Sequence, residues 1–162
     1  MTTTELVLQE AELDRIQGAL APLTDKASVE LVLLLDTAGQ LIASSGKVDG
    51  LDTTSFGSLT AGNVAAAARM AELLKKDDLR VQFHDGKDTH VHVVPVGDGM
   101  ILVVVFDSKS SVGLVRLWTS KARGMLEEVF ASAVRRQQSG GPRHSSFLGG
   151  LTDDDVEELF GT

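Results

Sequence analysis

The sequence predicts an α+β fold, in which a five-stranded antiparallel sheet carries helices on both of its faces. Three long segments repeat their apolar residues at the spacing of an α-helix, whereas five shorter segments are continuously apolar or alternate as strands do. Short turns rich in Gly and Asp join neighbouring strands, which favours antiparallel pairing over parallel crossovers. The resulting order is α-β-β-α-β-β-β-α, and helices that cover an antiparallel sheet define the α+β class.

The amino-terminal part of the chain contains a helix followed by a hairpin. The helix is predicted from four apolar residues at helical spacing, Leu13, Ile16, Leu20 and Leu23. Pro22 and Asp25 predict that this helix stops near them. Residues 29–35 form a buried strand, residues 36–40 turn the chain, and residues 41–45 return as the second strand of the hairpin.

Three further strands and a third helix follow in the second half of the chain. Residues 89–96 alternate, and residues 100–106 are apolar on both faces, as a central strand should be. The short, half-polar segment 80–84 is predicted to be an exposed sheet edge. The third helix is predicted to begin near Ser110 or Ser111 and to run to about residue 136. Its core side is predicted to consist of Leu114, Leu117, Trp118, Met125, Val129 and Val134.

The second helix, within residues 50–75, has two uncharged sides. Asp52, Thr53 or Thr54 can cap its amino terminus. One side is predicted to pack on the core and consists of Phe56, Leu59, Ala66, Met70 and Leu73. The other side is lined mostly by small residues, Gly57, Ala61, Val64, Ala65 and Ala68. Because a surface helix normally carries Lys and Glu there, we predict that this second side binds a partner protein or another helix.

The bulk properties of the chain narrow the classes of function. Its 162 residues are sufficient for one domain, which we expect to span residues 1–136. The formal net charge of −8 argues against binding to nucleic acid or anionic membranes, and the lack of Cys excludes disulfides and thiol catalysis. The amino terminus lacks the pattern of a signal peptide, and the longest apolar run is far shorter than the roughly 20 residues that span a bilayer. We therefore expect a cytoplasmic protein without membrane insertion.

The carboxy terminus differs in composition from the rest of the chain. Residues 137–150 are rich in Gln, Ser, Gly, Pro and Arg, which predicts a flexible linker. Residues 151–162 form an acidic segment in which Thr152 and Asp155 have the spacing of a capping box. One edge of the predicted helix is apolar and consists of Val156, Leu159 and Phe160. Because so short a helix is unstable alone in water, we expect it to become ordered mainly when it docks.

Other motifs give weak signals for chemistry. His84, His90 and His92 could bind zinc, but no well-placed fourth ligand is present, and a solvated sheet face accounts for them better. Lys47 follows a glycine, yet the upstream glycine of a phosphate-binding loop is missing, so the chain is not itself a nucleotide hydrolase. Residues 153–155 lack the spacing of a calcium loop, and attraction to the helix dipole explains them more simply. We therefore expect no metal, no cofactor and no catalytic site.

Two segments resemble the Roadblock/LC7 family. They are residues 36–42 (DTAGQLI) and residues 51–63 (LDTTSFGSLTAGN). The likeness continues through residues 102–106 and 111–117, so it covers almost the whole chain. The fold that it implies is profilin-like. Within the family, the chain resembles bacterial members that act on a Ras-like GTPase in cell polarity and motility, and this likeness includes the terminal segment DDDVEELF.

The resemblance also implies partners and contact residues. It implies a homodimer in which the second helices lie side by side and the third strands join into one continuous sheet. The dimer would accelerate GTP hydrolysis by a bacterial Ras-like small GTPase without being an enzyme itself. The platform for the GTPase would use Ala61, Val64, Ala65, Ala68 and Arg69. A carboxy-terminal contact, which would also influence nucleotide exchange, would use Phe147, Val156, Leu159 and Phe160.

Two alternative functions remain open at the level of sequence. The first is a non-catalytic Roadblock scaffold that bridges signalling components, although simple scaffolds often end after the third helix. The second is a small-molecule-binding or hydrolytic domain of profilin-like shape, which would need a pocket lined with titratable groups that the sequence does not show. We interpret Arg69 as an interface or solvent residue rather than a catalytic arginine finger.

Overall fold

Three helices and five strands form most of the described chain. A computed structural model describes residues 6–139. The elements are α1 (Glu10–Lys26), β1 (Leu31–Asp36), β2 (Leu41–Gly46), α2 (Thr53–Leu74), β3 (Gln82–Asp85), β4 (Thr89–Val96), β5 (Met100–Asp107) and α3 (Val112–Ser139), with a short 3-10 helix, Asp77–Arg80, before β3. The predicted α-β-β-α-β-β-β-α order is confirmed.

The five strands form one antiparallel sheet in the order β2-β1-β5-β4-β3. The strands β1 and β5 lie side by side in the middle, where Leu33 pairs with Val103. Both strands bury side chains on both faces, as their continuous apolar sequences predict. The strand β3 lies at one edge, which confirms that prediction. It begins at Gln82 rather than at residue 80 because the 3-10 helix takes up the preceding residues.

Helices cover both faces of the sheet, but they do so unequally. The helices α1 and α3 share one face, over a core in which Ile16, Phe106 and Leu126 are each 0% exposed. The helix α2 lies alone on the other face, over a smaller core that includes Leu33 and Val103. The sheet is therefore sandwiched between a two-helix layer and a one-helix layer.

The predicted end of α1 near Pro22 and Asp25 is correct for Asp25, since the helix ends at Lys26, but the helix passes through Pro22 without stopping there. Proline lacks an N–H group, so inside a helix it removes the hydrogen bond to the carbonyl four residues earlier. That carbonyl belongs to Gly18, which is exposed to solvent. Leu13, which was predicted to face the core, is 37% exposed.

The side of α2 that contacts the sheet is not the predicted one. The buried residues are Gly57, Thr60, Val64, Ala67 and Ala71. Of the residues predicted for the core, Phe56 is only partly buried, and the exposed ones are Leu59, Ala66, Met70 and Leu73. The physical reason is that at Gly57 the backbone of α2 touches the backbone of the turn between β1 and β2, so small side chains fit better than large ones on this side of the helix.

The predicted core side of α3 is also largely wrong. The buried residues of this helix are Val115, Thr119, Ala122, Leu126, Val129 and Ala133. Val129 was therefore predicted correctly, and Trp118 packs against the same core. Trp118 and Val134 are partly buried, and the exposed residues are Leu114, Leu117 and Met125. Because α1 supplies large side chains to the same core, α3 fills the remaining space with smaller ones.

A partly buried ion pair joins the beginning of α1 to the end of α3. The guanidinium of Arg136 donates from Nε to Glu12 Oε1 (2.8 Å) and from Nη2 to Glu12 Oε2 (3.0 Å). Arg136 Nη2 also donates to the carbonyl oxygen of Val7 (2.6 Å). The hydrogen bond from Arg136 lowers the pKa of the Glu12 carboxyl and raises the pKa of Arg136 itself. This bidentate contact fixes the amino-terminal residues against α3.

The helix α3 runs to Ser139 and so extends into the segment that was predicted to be a linker from residue 137. The rest of that linker and the predicted carboxy-terminal helix lie outside the described residues. None of the helices within residues 6–139 combines the length and the hydropathy needed to cross a lipid bilayer.

Candidate partner-binding surface

Local hydrogen bonds fix both ends of α2. The Asp52 carboxylate accepts hydrogen bonds from the Ser55 backbone N–H (3.1 Å) and the Ser55 hydroxyl (2.6 Å), as a helix cap does. The hydroxyl contact is the main reason that the pKa of Asp52 is lowered. At the other end, Lys75 takes a left-handed conformation with φ of 56°, and its N–H donates to the Glu72 carbonyl (3.2 Å). The helix between these caps therefore presents a regular surface.

Two glycines bring α2 into backbone contact with the turn between β1 and β2. A Cβ placed on Gly57 would lie 2.0 Å from the carbonyl oxygen of Gly39, and one on Gly39 would lie 2.4 Å from the carbonyl oxygen of Gly57. Gly39 also has φ of 90°, a conformation that other residues rarely adopt. The two sequence segments that carry the Roadblock/LC7 resemblance, residues 36–42 and 51–63, thus meet at this contact.

The outer side of α2 carries an exposed apolar stripe, which we call the α2 stripe. Its members are Leu59, Ala66, Met70 and Leu73, whose spacing places them on one side of a helix. Leu59 is 76%, Met70 61% and Leu73 68% exposed. The stripe contains no charged residue. Large apolar side chains that are exposed together indicate a surface of interaction.

A groove connects the α2 stripe to the edge of the sheet. It has a volume of 360 Å³ and is lined by Phe56, Leu59, Thr60, Asn63, His84, Val91 and Val93. Asn63 Nδ2 lies 3.2 Å from His84 Nε2, so a polar contact joins the helix to β3. Within the described chain β3 pairs only with β4, and its outer side is unpaired. The stripe, the groove and the strand edge therefore form one continuous surface.

The five predicted platform residues of α2 do not lie together on one free surface. Val64 is 9% exposed and packs in the core under α2, and Ala61 is partly buried against that core. Ala65 and Arg69 are exposed, and Ala68 is partly buried. The predicted contact residues of the tail lie outside the described residues, namely Phe147, Val156, Leu159 and Phe160.

The exposed members belong to a third side of α2, which we call the α2 polar side. It consists of Ser58, Ala65, Arg69 and Glu72, all of which are exposed. Arg69 Nη1 lies 2.9 Å from Glu72 Oε2, and both side chains are largely exposed. An ion pair of this kind contributes little to stability because water screens it. The α2 polar side therefore combines small residues with a paired arginine that solvent can reach.

The three histidines do not form a metal site. His84 lies on the α2 face of the sheet, whereas His90 and His92 lie on the other face with Phe83, because neighbouring strand residues alternate. The prediction of a solvated face is wrong for His92, which is 8% exposed and has its Nδ1 3.2 Å from the Gln82 carbonyl oxygen. Burial lowers the pKa of His92. Within residues 6–139, no group of three or more His, Cys, Asp or Glu could hold a metal ion.

Sequence reasoning missed the α2 stripe as an exposed surface. A signal that could have revealed it is the regular spacing of the small and medium residues Gly57, Thr60, Val64, Ala67 and Ala71. This spacing defines a continuous side on which a helix can approach a sheet closely. The large apolar residues on the neighbouring side would then have been expected outside.

Comparison with known proteins places the chain in a family. The Roadblock/LC7 domain model matches residues 16–106. Among solved structures, Myxococcus xanthus MglB is 42% identical with a TM-score of 0.73, over 79% of this chain and 96% of that chain. The gliding protein MglB from Thermus thermophilus is 26% identical with a TM-score of 0.70, over 77% of this chain and 95% of that chain. A structure described as MglB with tetrameric arrangement is 26% identical with a TM-score of 0.73, over 80% and 97% of the two chains.

More distant similarity supports the fold alone. Profilin IA of Acanthamoeba castellanii is 17% identical with a TM-score of 0.52, over 72% of this chain and 96% of that chain. A search of curated proteins found no significant match. The family model covers more than half of the chain and includes both glycines of the contact between α2 and the turn. The chain therefore belongs to the Roadblock/LC7 family.

Proposed function

We propose that this protein is an MglB-like activator of a bacterial Ras-like GTPase of the MglA type, acting in the cytoplasm in cell polarity and motility. The observation that carries the proposal is the 42% identity to Myxococcus xanthus MglB over 96% of that chain. In this proposal the protein has no catalytic site of its own and requires no cofactor. It stimulates GTP hydrolysis by the partner GTPase.

The proposed active form is a homodimer in which the α2 stripes of two copies face each other and the β3 edges pair. An uncharged stripe can meet its own copy without bringing like charges together, which suits a two-fold symmetric interface. Each large apolar side chain that becomes fully buried contributes about 1.5–3 kcal/mol. Pairing of the two edges also removes an unpaired strand from solvent. The relative described in a tetrameric arrangement supports self-association within this group of proteins.

In the proposed complex, the GTPase binds the α2 polar side of the dimer. Pairing through the α2 stripe leaves Ala65 and Arg69 facing outward, since they lie on a different side of the helix. Ala65 has a short side chain and permits a close approach of the GTPase. Ala68 flanks this surface, while Ala61 and Val64 support it from the core below.

The proposed activation works by repositioning the catalytic residues of the GTPase. An arginine finger contributes roughly 10³–10⁵ to the rate of hydrolysis. Arg69 is already paired with Glu72 at 2.9 Å. We expect Arg69→Ala to keep most of the acceleration, as measured by phosphate release. Loss of nearly all acceleration with unchanged binding would show instead that Arg69 is a finger.

A second proposed contact involves the carboxy-terminal residues Phe147, Val156, Leu159 and Phe160. It binds the GTPase away from the platform and influences nucleotide exchange. The double variant Leu159→Ser/Phe160→Ser is expected to weaken capture of the GTPase without abolishing it and to change the release rate of a fluorescent nucleotide. An unchanged release rate together with unchanged capture would contradict the second contact.

The central test is phosphate release by an MglA-like GTPase from the same organism, with and without this protein. We expect acceleration by the wild type and its loss in Ala65→Arg, because a long charged side chain would hold the two proteins apart. Ala11→Arg is the matched control, since Ala11 is exposed on α1 away from the platform. Binding without acceleration would identify the protein as a non-catalytic scaffold.

A further inference from the structure

The helix α3 presents a second exposed apolar stripe, on the opposite face of the sheet from α2. Leu114 is 44%, Leu117 48% and Met125 48% exposed, and Trp118 is partly buried beside them. We call these residues, together with Lys121, the α3 stripe. Because the proposed dimer uses α2 and β3, it leaves the α3 stripe uncovered.

Two lysines distinguish this stripe from an ordinary apolar patch. Lys121 Nζ lies 4.7 Å and Lys26 Nζ 5.6 Å from the centre of the Trp118 ring. Both distances fall within the range of a cation–π contact. Neither lysine forms an ion pair with a carboxylate of residues 6–139. The α3 stripe thus suits an occupant that is both apolar and acidic.

The carboxy-terminal segment of the chain has this chemistry. Residues 153–160 contain five carboxylates together with Val156, Leu159 and Phe160. The predicted helix would place the apolar residues on one edge and the carboxylates around it. Apolar side chains could then contact the α3 stripe while carboxylates approach Lys26 and Lys121.

The length of the chain beyond α3 permits this contact within one molecule. The part of α3 between Leu117 and Ser139 is about 33 Å long. The chain between Ser139 and Val156 can reach about 55 Å when it is extended. The segment can therefore return along α3 to the stripe without strain.

We propose that residues 151–160 dock on the α3 stripe of their own chain in the free protein. The predicted linker would hold this segment at an effective concentration on the order of 1 mM, so a contact with a Kd of about 0.1 mM would be roughly 90% formed. This inference concerns the protein alone and does not depend on the proposed activity towards a GTPase. Docking gives the tail a resting position, from which any external partner of the tail must displace it.

The composition of the chain makes a direct test possible. Trp118 is the sole tryptophan, and the chain contains no cysteine. A nitroxide attached to Cys in a Gly161→Cys variant quenches tryptophan emission only when it lies near the ring. We expect the nitroxide to lower Trp118 emission about twofold or more. The reference is the same labelled variant after the nitroxide has been chemically reduced. The loss is expected because the tethered segment is mostly docked. Emission that is unaffected by the nitroxide would overturn the proposal.

Two changes should release the segment if the contact is correct. Raising the NaCl concentration to about 1 M shortens the Debye length to about 3 Å and should restore emission, since the exposed charges are then screened. The variant Lys121→Glu should restore emission at low salt. Its matched control is Lys87→Glu, which makes the same change in charge at an exposed site on the turn before β4 and should leave the quenching intact.

Mixing experiments separate docking within one chain from docking between chains. Unlabelled wild type is mixed with a nitroxide-labelled Trp118→Phe/Gly161→Cys protein, so quenching can arise only between two molecules. We expect no quenching in this mixture at micromolar concentration. Quenching there, or quenching in Gly161→Cys that increases with protein concentration, would show that a second copy is the occupant and would overturn docking within the chain.

Discussion

The α2 stripe and the α3 stripe are both rows of apolar residues on the outside of a helix, but they differ in exposure and in charge. The large residues of the α2 stripe are 61–76% exposed, and the stripe contains no charged residue. In the α3 stripe, Leu114, Leu117 and Met125 are 44–48% exposed, and two lysines flank the partly buried tryptophan. The difference teaches that exposed apolar area alone does not identify an occupant. A neutral stripe suits a copy of itself, whereas a cationic stripe suits an acidic chain.

The two helices also differ in how they are attached to the sheet. The helix α2 is alone on its face and is held by apolar packing and by the contact between Gly39 and Gly57. The helix α3 shares its face with α1, and an ion pair between Glu12 and Arg136 joins those two helices. We therefore expect the packing of α2 to be sensitive mainly to changes in side-chain size. The packing of α3 should be sensitive to pH as well.

The largest expected effect is that of Met70→Lys on the proposed dimer. A lysine in the centre of the α2 stripe would place an unpaired charge in a dry interface, and two-fold symmetry would introduce it twice. Burial of an unpaired charge costs roughly 3–5 kcal/mol. We expect sedimentation to show the dissociation constant raised by more than about 100-fold. Met125→Lys on the α3 stripe is the control, and an unchanged dimer in Met70→Lys would show that α2 is not the interface.

The next largest effect concerns Gly57→Ala, which tests the close approach of α2. The added methyl group would collide with the carbonyl oxygen of Gly39, so the helix or the turn must shift. Overpacking of this kind costs about 1–3 kcal/mol of unfolding free energy. Chemical denaturation measures the effect. The control Gly18→Ala has no atom within 4 Å of the new Cβ and should instead raise stability by about 0.5–1 kcal/mol, because alanine favours a helix interior.

A smaller loss of unfolding free energy is expected at acidic pH. Its origin should lie in the layer that contains α1 and α3. The folded pKa of Glu12 is lowered by Arg136, so the ion pair stabilises the fold above the unfolded pKa of about 4.3 and loses this effect as pH falls through the folded value. Glu12→Gln should cost about 1–2 kcal/mol at neutral pH and should flatten the fall in unfolding free energy below about pH 5.

The control for this pH dependence is Glu128→Gln, because Glu128 is exposed on α3 and forms no ion pair within residues 6–139. The unfolding free energy, measured by denaturation at pH values between about 7 and 3, should fall more steeply with acid in this control than in Glu12→Gln. Equal slopes for the two variants would contradict a stabilising role of the ion pair.

The smallest expected effect on stability comes from removing the hydroxyl group of a buried threonine. Two such threonines, one on the inner side of α2 and one on the inner side of α3, can be compared. Thr119 on α3 is 2% exposed, and its hydroxyl has no hydrogen-bond partner within the described chain. Thr60 on α2 donates its hydroxyl hydrogen to the carbonyl oxygen of Phe56 (2.8 Å). Thr119→Val should therefore raise the unfolding free energy by about 1 kcal/mol, whereas Thr60→Val should give no gain. A loss of stability in Thr119→Val would show that its hydroxyl is satisfied.

Strands and turns were predictable because their signals are local. Residues 100–106 are apolar on both faces and form the central strand β5, and the short polar segment around Gln82 forms an edge. Gly39 and Gly97 both adopt positive φ at turns that the sequence marks with Gly and a nearby Asp, Asp36 and Asp98 respectively. In each case a few neighbouring residues determine the structure.

The inner sides of α2 and α3 were not predictable in the same way. In both helices two sides are apolar, and the sequence-based choice placed the larger residues inside. The inner side depends on the distance to the sheet, which Gly39 sets for α2, and on large side chains from α1, such as Leu20, which fill the core beside α3. Both are properties of segments distant in the chain. The same reason explains why Val64 was assigned to a partner and is found in the core.

The contact between Gly39 and Gly57 has a mechanical consequence. Two backbones that touch have no side chain between them that could rotate and absorb a displacement. A displacement of α2 towards the sheet at Gly57 must therefore also move the hairpin turn at Gly39. This turn leads into β2, which lies at the opposite edge of the sheet from β3.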